Sequence, residues 1–179
     1  MKYSELNNSD LDLDYIKELI KYIKPVSRVH HYNSIIEAKS YMEIKWSILI
    51  DIRMLDKESD VLDMLSIWTE IDKNIFYNKN VEEVFGLAKY INSELEKLNK
   101  FIEREFTDKP TSEENAAGIK TLDKYADMIL AENIAKDFNI TIDEVYQREY
   151  GEILAKQLYY RDVKRYERKL NDIILNKSK

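Results

Sequence analysis

His30 and His31, with Glu37 a few residues on, could supply imidazole and carboxylate ligands to a metal ion. Adjacent histidines in a polar connector are usually solvated, and the chain offers only two histidines and no cysteine to complete a site. The missing cysteines also exclude structural disulfides, thiolate zinc sites and cysteine nucleophiles. The acidic pairs Glu82-Glu83 and Glu113-Glu114 could do acid–base work if they were buried and convergent. Each pair falls where a helix should start, and there the helix dipole alone accounts for acids. No glycine-rich fingerprint, Gly-x-Ser-x-Gly elbow, His-Glu-x-x-His or paired-aspartate metal motif is present. The expected protein is therefore non-enzymatic, with no catalytic residue, no metal ligand, no cofactor and no small-molecule substrate.

A second constellation lies near the C-terminus. Arg161, Lys164, Arg165 and Arg168 are offset by zero, three, four and seven, so on a helix they share one face. Tyr159, Val163, Tyr166, Leu170 and Ile173 occupy roughly the opposite side. The apolar side is the one expected to be buried and the basic side the one to be presented, as a candidate interface or anion-contacting face. Three uses are open to such a face: plain solvation, contact with an acidic surface of a neighbouring subunit, and contact with a phosphate backbone. Thirteen tyrosines suit interface use, because an amphipathic ring buries area while its hydroxyl keeps a partner.

The elements that must carry these residues read as helices. Three glycines and two prolines occur where average usage gives about 12 and about 9, which disfavours turn-rich β architectures and phosphate-cradling loops. The first helix is expected over Leu11 to Ile23, with Ser9 or Asp10 as cap, Asp12 and Asp14 in its first turn, and Pro25 as its stop. Val26 to Asn33 is a connector. Ser34 to Leu55 is assigned as helix, although Ile44, Trp46, Ile48, Ile50 and Ile52 also alternate like a strand; a strand here would lack partners. Ser59 caps a helix over Asp60 to Asp72, and Trp46 and Trp68 are expected as core anchors. Asn80 and Glu83 have capping-box spacing before a long helix to Phe106, roughly 40 Å at about 1.5 Å per residue. Val84, Ala88, Ile91, Leu95, Leu98 and Ile102 give it a coiled-coil-like seam, with Leu95 and Leu98 enclosed by the two preceding helices.

After a break at Thr107 to Pro110, Thr111 and Glu114 start a helix to about Asp137, striped by Ile119, Leu122, Ala126, Ile129, Ile134 and Phe138 and interrupted by Gly118. Thr141 and Glu144 open a short helix over Ile142 to Gln147, and the last helix runs from near Tyr150 to about Leu175. The fold class is thus all-α, a bundle of about seven helices with a long spine helix and a C-terminal amphipathic module. Residues 1–106 form an N-terminal bundle and residues 107–179 a C-terminal module.

The net charge of −6 is unevenly spread: residues 156–179 carry +5, which leaves −11 for residues 1–155. Met1 to Asp14 is acidic and polar, unlike a signal or transit peptide, and no apolar run reaches the roughly 20 residues of a membrane span. A cytoplasmic protein without membrane contact is expected.

The segment from Phe106 to Leu170 resembles the C-terminal half of helical structural and assembly proteins of tailed bacteriophages. The likeness rests on Glu113-Glu114-Asn115-Ala116-Ala117-Gly118-Ile119, on Phe138 through Tyr146, and on Tyr150 followed by a charged, tyrosine-rich helix. It implies a virion structural protein of the connector or tail rings, assembled in the host cytoplasm, whose partners are copies of itself and other virion proteins. The alternatives are a tail-assembly chaperone, or a small helical regulator that binds nucleic acid or a host protein through the basic C-terminal face.

Overall fold

The computed structural model describes residues 2–6, 13–32, 34–56, 60–107 and 110–177. Helices make up 71 % of the structure, so the fold is all-α, with one two-stranded hairpin among the described residues. The elements are α1 (Tyr3–Leu6), α2 (Leu13–Tyr22), β1 (Arg28–His31), β2 (Ser34–Glu37), α3 (Trp46–Met54), α4 (Val61–Thr69), α5 (Asn74–Tyr77), α6 (Val81–Glu105), α7 (Ser112–Ala116), a 3-10 helix (Ile119–Tyr125), α8 (Ala126–Phe138), α9 (Ile142–Tyr146) and α10 (Tyr150–Lys177). They fall into two compact units, residues 1–98 and 99–179, with the division inside α6.

In the first unit the expected helix from Ser34 does not begin until Trp46. Arg28–His31 and Ser34–Glu37 instead pair antiparallel in the register Arg28 to Glu37, Val29 to Ile36, His30 to Ile35 and His31 to Ser34. Val29 and Ile36, directly opposite one another, are both buried, and an Arg28–Glu37 ion pair at 2.6 Å closes the far end. The connector supplies the strand partner that the sequence reading found missing, and packing of one face overrides the helix propensity of Ile36 to Lys45. From Trp46 the helical alternative for residues 44–52 holds, with Trp46, Ile48 and Leu49 buried. The N-cap of α4 is Asp60, whose carboxylate accepts the Leu62 and Asp63 amides in a full capping box with Asp63. Ser59, Ser9, Asp10 and Asp12, expected as caps or first-turn acids, lie outside the described residues.

Trp46 and Trp68 are buried, and the Trp68 indole donates to the Lys39 carbonyl at 3.0 Å. The core side of α6 is Val81, Val84, Leu87, Ala88, Ile91, Glu94 and Leu98. Leu95 is only half-buried, so the seam is turned by one residue and a carboxylate occupies a core position. Glu94, 3 % exposed, accepts the Tyr41 amide at 3.2 Å and the Lys97 ammonium at 2.5 Å, which satisfies the charge inside the core edge. Gly86 lets the chain after α2 lie against α6: its carbonyl accepts the Val26 amide at 3.0 Å, and a Cβ there would stand 2.7 Å from Val26 Cγ2.

In the second unit the single helix expected from Thr111 to Asp137 is three elements. Gly118, at φ +78°, turns the chain left-handed between α7 and the 3-10 helix. The expected stripe is accordingly scattered: Ile134 is buried, whereas Leu122, Ile129 and Phe138 are exposed. The core is Ala131, Ile134 and Ala135 of α8, Val145 of α9, and Tyr150, Ile153 and Leu154 at the start of α10. Asn139 ends α8 in the left-handed conformation, and Thr141 and Glu144 form a complete capping box for α9. No helix among the described residues is long and apolar enough to cross a membrane.

Candidate protein-interaction face on the last helix

The buried start of α10 fixes the rotation of everything after it. Tyr150, Ile153 and Leu154 face the core, and the same helical side continues through Gln157, Arg161, Arg165 and Arg168, all partly covered. Arg161, Arg165 and Arg168 therefore lie on the inward face, with Lys164 exposed at its edge. Arg161, with its side chain 14 % exposed, donates from Nη1 to the Glu105 carbonyl at 3.1 Å and to Glu105 Oε2 at 2.8 Å, and pairs through Nη2 with Asp162 at 2.7 Å. Arg165 reaches the same carbonyl at 3.4 Å. That carbonyl is one of the last in α6, where no intrahelical amide is available and the helix dipole favours positive charge. The Arg161 guanidinium also stands 5.8 Å over the Phe106 ring.

Lys164 and Arg168, one turn apart, both hold Glu114, at 3.1 Å and 3.0 Å. Glu114 simultaneously accepts the Thr111 amide at 2.9 Å, and the Thr111 hydroxyl accepts the Glu114 amide at 3.1 Å. The Thr111 hydrogen bond first, then the Lys164 and Arg168 charges, bring the Glu114 carboxyl down to about 2. Hydrogen bonds from Arg104 and Arg161 likewise lower that of Glu105. Thus the four cations grip the end of α6 and the cap of α7 in their own unit, an arrangement that none of the three uses read from the sequence included.

The apolar side points the other way. Tyr159, Tyr166 (65 % exposed), Leu170 and Ile173 (53 % exposed) lie at the surface and Val163 is half-buried, so the face expected to be buried is the presented one. The reason is local: the inward side of α10 meets helix-terminal carbonyls and carboxylates, which arginine satisfies and leucine cannot. The spacing of these five residues is four, three, four, three, the heptad pattern of a coiled-coil seam. From Lys169 to Asn176 every residue is exposed, so the final two turns stand clear of the unit's core on all sides.

Beside the seam lies a cation–aromatic cluster that the sequence reading missed. Arg148 and Lys156 stand 4.7 Å and 5.0 Å over the exposed Phe138 ring, and Lys156 is also 5.3 Å from the Tyr159 ring. Asp137 accepts Lys156 at 2.8 Å and the Tyr160 hydroxyl at 2.7 Å. Burial and that donated hydrogen bond push the Tyr160 hydroxyl up to about 12. Phe138 looked like the end of a core stripe, but it lies at the surface, as does Ile129 on the same helix.

The other residues singled out for chemistry are dispersed. His31 packs edge-on against Tyr32 at 4.6 Å near the hairpin tip, while Glu37 sits at the far end of the ladder paired with Arg28. An open cleft of about 430 Å³ lined by Lys2, His31, Tyr32, Ile75, Asn78 and Lys79 places no carboxylate beside the imidazole. Among the described residues no group of three His, Asp or Glu side chains is placed to hold a metal ion. Glu83 accepts the Asn80 amide at 3.1 Å, as a helix-start acid should, and the Glu113 side chain lies outside the described residues. No protein-family model matches the chain, and no curated protein and no solved structure matches it.

Proposed function

We propose that this chain is a non-enzymatic helical assembly protein that works through protein–protein contacts made by the outward face of α10. One observation carries the reading: a five-residue heptad seam, Tyr159 to Ile173, is displayed on a 28-residue helix whose basic side is already engaged within its own unit. The final two turns, which carry Leu170 and Ile173 of the seam, lack the tertiary packing that stabilises most helices, and docking against a partner supplies it. The pairing of Arg161, Lys164 and Arg168 with Glu105, Glu114 and Asp162 is the reason a phosphate contact is not the leading reading. The resemblance of residues 106–170 to tailed-phage helical proteins extends the proposal to a virion component near the portal or tail, with other virion proteins and copies of itself as partners.

A photo-activatable residue at Tyr166 tests both levels. The expected result is that the chain is a stoichiometric component of purified particles and that position 166 cross-links to a protein inside them. Absence from particles contradicts the virion placement. Presence without any cross-link from position 166 contradicts the use of this face.

A further inference from the structure

We infer that the partner of the α10 seam is the same seam of a second copy of this chain, running antiparallel, in the register that places Val163 against Tyr166 and Leu170 against Tyr159 of the other copy. The inference rests on the reading of α10 as the contact face and adds the occupant, its direction and its register. In heptad terms Tyr159, Tyr166 and Ile173 are d positions and Val163 and Leu170 are a positions, which makes Asp162 and Lys169 the g residues and Glu167 an e residue.

The flanking charges discriminate between the ways two such helices can meet. A parallel pair brings each g residue to the e residue five positions on in the partner, which sets Asp162 against Glu167 twice. An antiparallel pair brings g to g and e to e. In the stated register Asp162 of each copy faces Lys169 of the other, and Glu167 faces Tyr160. Sliding one heptad toward the C-terminus sets Lys169 against Lys169 and Glu167 against Glu167; sliding one heptad the other way sets Asp162 against Asp162 and leaves only Tyr159 and Val163 facing one another. Only the stated register matches opposite charges, and in it four of the five seam residues face one another, with Ile173 opposite the Lys156 stem of the other copy. Asp162 and Lys169 are exposed and flank the seam, and Asp162, which also pairs with Arg161 of its own helix, keeps 62 % of its side chain open to a cation from the other copy. The antiparallel arrangement is also self-complementary, as a two-fold dimer requires.

Sedimentation equilibrium of the full chain over about 1–200 µM, with helicity followed by circular dichroism, tests this. The wild type should show a monomer–dimer equilibrium. Lys169→Asp should raise the dimer dissociation constant roughly ten-fold, because two attractive contacts become repulsive. Asp162→Lys should weaken it similarly, and the double swap Asp162→Lys with Lys169→Asp should restore it. Leu170→Glu should abolish the dimer while leaving the helicity of the monomer intact. Tightening by Asp162→Lys with no effect of Lys169→Asp would mean a parallel pair and overturn the inference. A wild type that stays monomeric at 200 µM would overturn the homotypic partner, while the use of the face by another protein is judged separately by the Tyr166 cross-link.

Discussion

At the residue scale, the positions that decide this fold are those where side-chain type and surroundings conflict. Glu94 is a carboxylate on the core side of α6 that is tolerable because the Tyr41 amide and Lys97 meet it. On the same helix Leu98 is buried and Leu95 is only half so. Leu98→Ala should cost about 2 to 5 kcal/mol through lost transfer energy and a residual cavity, and Leu95→Ala clearly less. Urea unfolding of the two variants side by side checks this, and equal losses would place Leu95 back in the core. Gly86 gives a second test. Alanine favours a helix by about 0.5 to 1 kcal/mol over glycine, yet here its methyl group would meet Val26 and stand 3.2 Å from the Lys24 carbonyl. Overpacking of about 1 to 3 kcal/mol should win, so Gly86→Ala should lower the urea midpoint. A raised midpoint would show that the segment after α2 does not lie on α6.

At the scale of elements, three helix starts were legible, whereas the start at Trp46, the stop before Gly118 and the helix faces were not. The capping boxes at Thr111 and Thr141 and the Glu83 carboxylate on the Asn80 amide are written in residues within four positions of one another, so a sequence window contains their whole cause. The β1–β2 hairpin is set by contacts from Val29 and Ile36 to a core assembled elsewhere, which no local window holds. The same holds for α10: its apolar residues seemed bound for the interior, but its inward side had to satisfy the Glu105 carbonyl and the Glu114 carboxylate. That clamp has a pH signature. Glu114, Glu105, Asp137 and Glu144 all have folded values below their ordinary range, so each stabilises the second unit above about pH 4.5 and loses that contribution as pH falls, for Glu114 through about 2. Thermal unfolding should therefore shift steadily downward between about pH 4.5 and pH 2. Glu114→Gln should flatten this dependence, since it removes the charge while leaving an acceptor for the Thr111 amide. An unaltered slope in that variant would show that Glu114 is not held by Lys164 and Arg168 in solution.

At the scale of the whole molecule, the charge asymmetry of the sequence resolves inside one unit. Residues 99–179 hold 15 Lys or Arg and 16 Asp or Glu, a net −1, so the basic last helix is balanced by acids that fold with it. A basic tail seeking an acidic partner is the natural reading of a linear sequence, and the structure has the acids of its own unit meet those cations. What the molecule presents instead is the apolar seam of α10 beside the Phe138 cluster. The all-α class and the long α6 followed from composition and periodicity. The choice of which face meets the outside depended on three-dimensional placement of two carboxylates, Glu105 and Glu114, 56 and 54 residues distant from the side chains that bind them most closely.

The most direct test of this apportioning is hydroxyl-radical footprinting of the wild-type chain, read by mass spectrometry at a concentration low enough to keep it monomeric. Tyr159, Tyr166 and Leu170 should be oxidised at rates near those of the unfolded chain, while Tyr150 in the core and Phe106 beneath Arg161 should be protected. Protection of Tyr166 and Leu170 in the dilute monomer, with Phe106 freely oxidised, would mean that α10 buries its apolar side and presents its cations, and would contradict the account.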